Sequence, residues 1–287
     1  MGMKKFSIFI AITVVSLIGL GHEFWLQPNK FFYSIREIAK IRLVVGENFK
    51  GENWTGNHEK IQQLTHYTPK DEILDVSAGL SLNKGDSLLL HLKEEGTHMV
   101  VFNSTNSFIN LEAIKFNNYL IEDGLDDAYA FRKTHAETDI NGKEFYQRSV
   151  KTILQVGDEV SNACKFATTL PLDIIPAENP YLTPILGSSE KPLKVQFRIQ
   201  FKNKPLIHAL VKIWYRVPGI GLKMDTVRTN KKGWIITERH PGPFLVSCVH
   251  MERIQNNTEA DWQSYWASVS FEYSQFYTRL KLKKEKQ

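Results

Sequence analysis

The hydrophobic pattern along most of the chain is that of short β-strands. In the stretch 195–201, Val195, Phe197, Ile199 and Phe201 alternate with polar residues, which is the period of a strand with one face in water. Further apolar runs of strand length are bounded by Gly, Asn and Lys turn residues. These runs lie at 41–47, 86–92, 98–104, 170–175, 206–216, 225–238, 242–251 and 265–273.

The middle of the chain departs from this pattern and takes on helical spacing. Phe116 and Leu120 are four residues apart, and Gly124 is placed where one helix would end before another begins. The segment 144–157 repeats the spacing and ends in glycine. We therefore predict a small helical insertion at about 111–157.

The order of these elements predicts a mainly β protein of two antiparallel β-sandwich domains. The first spans 22–182 and includes the helical insertion. The second spans 190–278 and has the strand spacing of an immunoglobulin-like sandwich. A polar connection at 183–191 separates the two domains, and a basic tail follows at 279–287.

The first 21 residues have the pattern of a secretory signal peptide. Two lysines precede an apolar run at 6–20, which is shorter than the ~20 residues of a membrane-spanning helix. Gly19 and Gly21 are the small residues that signal peptidase requires, so we predict cleavage after Gly21 and a mature chain that begins at His22. The processed protein would be periplasmic or secreted and not integral to a membrane; an uncleaved N-terminal anchor is the alternative.

The distribution of charge argues against nucleic-acid binding, and the two cysteines leave a disulfide open. The chain has 36 Lys and Arg against 31 Asp and Glu, and its basic excess lies in the first residues and the tail. The body between them is close to neutral and lacks the basic face of a nucleic-acid-binding protein. Cys164 and Cys248 could pair or stay reduced, and their spacing does not decide which.

The chain lacks the sharp signatures of catalysis. It contains no HExxH pair, no CxxC, no G-x-S-x-G and no P-loop. No stretch assembles an acid, a base and a nucleophile, so the sequence predicts a non-enzymatic protein without an organic cofactor.

Several motifs occur in an order that resembles one secreted bacterial family. They are GHEFWLQP (21–28), VGENFKGE (45–52), IKFNNYLIEDGLDDA (114–128), PLDIIPAENPY (171–181), KPLIHALVKIWYR (204–216), TNKKGWIITE (229–238), FLVSCVHME (244–252) and DWQSYWASVSFEY (261–273). The set resembles a domain-of-unknown-function family that carries a nickel-transport (NikM-like) label. This resemblance implies an exported protein linked to nickel or cobalt uptake, with an envelope metal transporter as partner, and a second domain similar to the transthyretin-like fold.

A histidine at a processed N-terminus has its own metal chemistry. Cleavage after Gly21 would give His22 a free α-amine beside its imidazole. The amine nitrogen and ring Nδ1 can close a six-membered chelate on one ion, and nitrogen-rich sites suit Cu(II) and Ni(II). We therefore predict that His22 is a metal ligand for Ni, Co or Cu.

The remaining ligands would come from elsewhere in the chain. His250 is the first choice because it ends the apolar face of the strand at 242–251. His98 is the second, since it too belongs to a His-Met pair in a strand. Residues with weaker support are His91, Glu23 and Asp261.

Two other functions remain open from the sequence. The chain could be a binding or adhesion module for a peptide, glycan or surface receptor, which predicts an exposed aromatic patch around Trp54 or around 262–266. It could also be a copper-dependent oxidase that uses the same terminal histidine and an open coordination position.

Overall fold

The computed structural model describes residues 22–81, 87–182, 193–217 and 219–273. The predicted signal peptide, the polar connection and the basic tail lie outside the described residues. The described chain is mainly β with a small helical insertion, as the sequence predicted.

The strands and helices are numbered in chain order. The bounds are β1 Glu23–Pro28, β2 Phe32–Tyr33, β3 Ile38–Glu47, β4 Lys50–Asn53, β5 Ile61–Tyr67, β6 Ile73–Asp75, β7 Leu80–Ser81, β8 Ser87–His91, β9 Gly96–Ser104, β10 Ser107–Leu111, α1 Ala113–Glu122, α2 Asp126–Thr134, β11 Gly142–Val156, β12 Leu172–Pro176, β13 Lys194–Phe201, β14 Lys204–Pro205, β15 Leu210–Val217, β16 Gly221–Arg228, β17 Trp234–Glu238, β18 Gly242–Arg253 and β19 Trp262–Tyr273. Short 3-10 turns lie at His58–Lys60, Ser77–Gly79 and Ala163–Lys165.

The described strands form three sheets. The N-terminal sheet has the order β1-β3-β8-β7, with β4 beside β3. The large sheet has the order β16-β15-β18-β19-β11-β9-β5-β6, with β10 and β2 also paired to β11. The C-terminal sheet has the order β12-β13-β14, with β17 beside β13. Neighbouring strands are antiparallel except where β11 runs parallel to β19 and to β2.

The large sheet is the middle layer, and apolar side chains project from both of its faces. Val150 and Leu154 of β11 pack with the N-terminal sheet, whereas Ile153 packs with the C-terminal sheet. Helices α1 and α2 cover the end of β18 and β19, where Phe116 packs with Trp262. Burial of these faces from water is the main favourable term that holds the layers together.

The predicted helix pair is confirmed, but the prediction of helix at 144–157 is wrong. α1 and α2 are separated at Gly124, whose φ is +64°. Residues 142–156 form β11, which lies between β19 and β9 inside the large sheet. Residues four apart share one face of a strand as well as one face of a helix, and burial of both faces removes the alternation that marks a strand.

Strands from both sides of the predicted domain boundary share sheets. β11 pairs with β19 over Glu144–Thr152 and Trp262–Ser270 in the large sheet. β12 pairs with β13 in the C-terminal sheet. The division into two domains stays a prediction, but the layers are built from both parts of the chain.

The N-terminal strand β1 lies in the interior of the molecule. Phe24 and Leu26 point into the core beneath the N-terminal sheet, while Trp25 packs on the opposite side. The hydroxyls of Ser268 and Ser270 donate hydrogen bonds of 2.7 Å to the carbonyls of Phe24 and Leu26. These bonds satisfy backbone acceptors on the edge of β1 and fix the segment that follows His22.

Candidate functional site: His22 and the acid cluster

His22 lies directly before β1 with its imidazole at the surface. The side chain is 26% exposed, and its Nε2 is 3.7 Å from Oε1 of Glu47. Strand pairing explains the approach, because Glu23 is opposite Gly46 in the β1–β3 ladder. His22, the first candidate metal ligand, therefore has the Glu47 carboxylate as its neighbour.

A tight hairpin places Glu47 at this position. Glu47 pairs with Lys50 across β3 and β4, and the two residues between them, Asn48 and Phe49, have φ of +56° and +52°. Two consecutive residues with positive φ are typical of a type I′ turn. Phe49 also contacts the Trp25 ring edge-on at 6.3 Å, which joins the hairpin to β1.

The orientation of the His22 ring leaves one nitrogen for a chelate. Nε2 is the nitrogen that faces Glu47. A carboxylate beside one ring N–H is the usual second partner of a metal-binding histidine, because it fixes the tautomer and the ring orientation. Nδ1 is then the nitrogen that can share a chelate with the α-amine of the same residue.

A buried ionic group lies behind His22, formed by Glu23, Asp123 and Lys212; we call it the acid cluster. The Lys212 ammonium is 2.6 Å from Asp123 Oδ1 and 3.9 Å from Glu23 Oε1. Both carboxylates are almost completely buried. One ammonium therefore serves two interior carboxylates, which come from β1 and from the turn after α1.

Burial dominates the protonation of the acid cluster. Loss of water raises the pKa of Glu23 to about 7, although the Lys212 charge opposes this shift. Burial also raises the pKa of Asp123 against the same ammonium. Within the described part of the chain, Asp123 Oδ2 has no hydrogen-bond partner.

A third buried carboxylate, Glu144 of β11, lies next to the acid cluster. Its Oε1 accepts hydrogen bonds from the Ser264 hydroxyl and, at 3.3 Å, from the Tyr119 hydroxyl. Burial, with a smaller contribution from the charge of Asp123, raises the pKa of Glu144 to about 7. Sequence reasoning missed Asp123, Lys212 and Glu144, since each of them is far from the others along the chain and has the appearance of surface charge.

His98 is buried and pairs with a second histidine, His66 on β5. His98 Nδ1 is 2.7 Å from His66 Nε2, and His98 Nε2 is 3.0 Å from the Glu94 carbonyl oxygen. A carbonyl only accepts, so neutral His98 donates through Nε2 and accepts at Nδ1, and His66 Nε2 is the donor. This pair could not be predicted from the sequence, because residues that meet on neighbouring strands have no fixed separation along the chain.

We expect His66 to remain neutral well below the pH at which histidine usually titrates. Burial lowers the pKa of His66 to about 4, and His98 adds to this effect. Since an unfolded histidine titrates near pH 6.5, His66 should remove stability as the pH falls from about 6.5 towards 4. An NMR titration of the ring carbons checks this, and a midpoint near 6.5 would contradict it.

His250 lies on β18 beneath the aromatic ring of Phe201. The two ring centroids are 4.3 Å apart, and burial lowers the pKa of His250. His250 also lines a cavity of about 270 Å³ between the start of α2 and the loop at 206–209. Asp126 and Arg228 form an ion pair of 2.7 Å at this cavity.

The structure does not bring His22, His98 and His250 together. Cys248, two residues before His250, belongs to the core under the C-terminal sheet, whereas β1 lies on the opposite face of the large sheet. Phe24 lies over Arg148, and His98 pairs with Leu154 on the same strand, so His98 is about 20 Å farther along β11. Among the described side chains no group of three or more His, Cys, Asp or Glu could hold a metal ion.

The residues with weaker support are also dispersed. His91 is exposed on β8. Asp261 is 3.7 Å from Arg253 in a surface ion pair. Glu23 is the exception, because it belongs to the acid cluster next to His22.

Of the aromatic rings proposed for an adhesive patch, Trp262 is buried, whereas Trp54, Tyr265 and Trp266 are partly exposed. Trp262 is 2% exposed and contacts the Phe131 ring at 5.6 Å. Trp266 stacks on Tyr119 at 5.5 Å, and Trp54 contacts Phe102 edge-on at 5.5 Å. Burial therefore removes Trp262 from the proposed adhesive patch, and the partly exposed rings leave the adhesion hypothesis untested.

Comparison with family models gives a match over most of the chain. The model described as a domain of unknown function, DUF4198, matches residues 20–252. The chain belongs to the DUF4198 family. This match includes the His22 region, the acid cluster and most of β18, and it does not include a nickel-transport label. A search of curated proteins finds no match for this DUF4198 chain.

Solved structures offer only distant similarity. A DUF4785 family protein from Legionella pneumophila is 8% identical with a TM-score of 0.25; the alignment covers 78% of this chain and about half, 51%, of that one. The D0-D1 domain of Intimin is 11% identical with a TM-score of 0.21, covering 86% and 96%. A tandem repeat of a large adhesion protein is 9% identical with a TM-score of 0.21, covering 87% and 49%. At these scores the likeness supports no functional argument.

The described helices are too short or too polar to cross a membrane.

Proposed function

We propose that this DUF4198 chain is an exported protein that binds one transition-metal ion at His22. Cleavage after Gly21 frees the α-amine, and the amine with ring Nδ1 forms a chelate at the protein surface. Nitrogen donors favour Cu(II) or Ni(II), with Co(II) the weaker candidate. The role would be non-catalytic: the ion would be passed to an envelope metal transporter.

The observation that carries the proposal is the contact between His22 Nε2 and Glu47, at 3.7 Å. It places a carboxylate on the side of the ring nitrogen that the chelate does not need. Burial of the following strand supports the same conclusion, because β1 fixes the backbone from Glu23 onward. A ligand held in place before the ion arrives loses less entropy on binding.

Acetylation of the α-amine tests the chelate. Protein that begins at His22 should bind Cu(II) or Ni(II) in calorimetric titration, and the same protein with an acetylated N-terminus should lose this binding. Acetylation removes the amine donor and leaves every side chain in place. Equal binding by both forms, or by neither, would contradict the proposal.

A second variant tests Glu47. Glu47→Gln in the His22-terminal protein should weaken metal binding about 10- to 100-fold, the usual effect of removing such an outer partner. Glu52→Gln is the matched control, since Glu52 is exposed on the neighbouring strand β4. An equal loss in both variants would show a general charge effect and would remove the role of Glu47.

A further inference from the structure

A lysine and an aspartate form a direct contact in the protein interior, far from His22 in the sequence. The Lys151 ammonium donates a hydrogen bond to Asp173 Oδ1, and the two side chains are 1% and 4% exposed. Lys151 belongs to β11 of the large sheet, and Asp173 belongs to β12 of the C-terminal sheet. The contact therefore joins two layers of the fold.

The surroundings of this contact suit an amide better than an ammonium. In the described part of the chain, Lys151 Nζ has Asp173 Oδ1 as its one hydrogen-bond acceptor, although an ammonium carries three donors. A buried charge with unused donors is costly. The other carboxylate oxygen, Asp173 Oδ2, accepts from the Thr168 backbone N–H at 2.8 Å and from its hydroxyl at 3.0 Å.

We propose that Lys151 and Asp173 condense into an intramolecular amide bond. A proton passes from the ammonium to Asp173 Oδ1, which leaves a neutral amine beside a neutral carboxylic acid. The Nζ lone pair attacks Cγ, and negative charge develops on Oδ2. Nζ then gives a second proton to the Oδ1 hydroxyl, the Cγ–Oδ1 bond breaks, and water leaves.

Thr168 is placed to assist this reaction. Its N–H and hydroxyl both point at Oδ2, the atom on which charge develops, in the manner of an oxyanion hole. No oxidant or cofactor is needed, because one ammonium and one carboxylate give one amide and one water. The product removes two buried charges and fastens β11 to β12 covalently. The proposal is independent of the metal site.

Mass spectrometry of the folded, exported protein tests the bond. A tryptic digest should contain residues 149–165 joined to residues 166–194, with a mass about 18 Da below the sum of the two peptides. Trypsin should also fail to cleave after Lys151, because an acylated lysine is not a substrate. Complete cleavage at Lys151, with no joined species, would show a plain ion pair and overturn the proposal.

Three variants separate the bond from a folding effect. Asp173→Asn should still condense, with loss of ammonia, and give a joined product of the same mass as the original protein. Lys151→Met should give no joined product. Thr168→Val, which removes the hydroxyl donor but keeps the backbone N–H, should lower the joined fraction. An unchanged fraction in Thr168→Val would remove Thr168 from the reaction, and joined product from Lys151→Met would overturn the assignment.

Discussion

Replacing Lys212 with methionine is expected to lower the free energy of unfolding by about 3–5 kcal/mol at pH 8. Lys212 is the ammonium that faces Glu23 and Asp123, which are both almost completely buried. Methionine fills a similar volume but leaves two interior carboxylates without a counter-charge. Urea unfolding followed by circular dichroism measures the change.

The pH dependence of this loss distinguishes charge from packing. Burial already raises the pKa of Glu23 to about 7 and raises that of Asp123. Near pH 5 these carboxyls can take up protons once Lys212 is gone, so the destabilisation should shrink. Lys204→Met, at an exposed position on β14, is the control and should change stability little. A loss that is equal at both pH values would show that packing around the lysine stem carries the effect.

Glu144→Gln is expected to flatten the change of stability between pH 5 and pH 8. The pKa of Glu144 is raised to about 7 in the folded protein, above the unfolded value of 4.5. Its proton therefore stabilises the fold fully below pH 4.5, and this contribution is lost as the pH rises through 7. The whole contribution is at most about 3 kcal/mol.

The measurement is the slope of unfolding free energy against pH. Glutamine keeps an oxygen for the Ser264 and Tyr119 hydroxyls but does not ionise, so the variant should lose the part of the decline that Glu144 contributes. The part that comes from Glu23, whose pKa is also raised to about 7, should remain. The slope isolates ionisation from any constant cost of the substitution. Glu259→Gln, at an exposed position, should keep the original slope. A slope unchanged in Glu144→Gln would show that Glu144 ionises equally in the folded and unfolded states.

The acid cluster connects the helical insertion to strand β1 near the N-terminal end of the described chain. Asp123 follows α1, Glu23 begins β1, and Lys212 belongs to β15. The ionic contacts therefore tie the insertion to the residue after His22.

Local sequence patterns predicted the strands that bury one face and the turns whose conformation depends on neighbouring residues. The alternation in β13 and the turn before β17 are visible along the chain, and so is Gly124 between the helices. In each case neighbouring residues decide the conformation. β11 was missed because its partners cover both faces, and its residues then resemble a buried helix.

The candidate site also combines a residue that the sequence predicted with residues that only the fold brings together. His22 stands out in the sequence, because its importance depends on a processing signal a few residues away. Strand pairing brings Glu47 close to His22. Asp123 and Lys212 are distant from His22 in the sequence and approach it only in the folded chain. His98 acquires His66 rather than His22 as its neighbour through the β5–β9 pairing.

The sequence by itself determined that the chain is mainly β, where most strands and both helices lie, and which histidine could become a terminal ligand. These properties depend on hydrophobic period, turn residues and a cleavage pattern, which act over a few residues. Only the tertiary structure decided which charged side chains meet in the interior, including Glu23 with Lys212 and Lys151 with Asp173. Those contacts follow from strand order and layer packing, and the loss of water that makes them consequential exists only once the layers have closed.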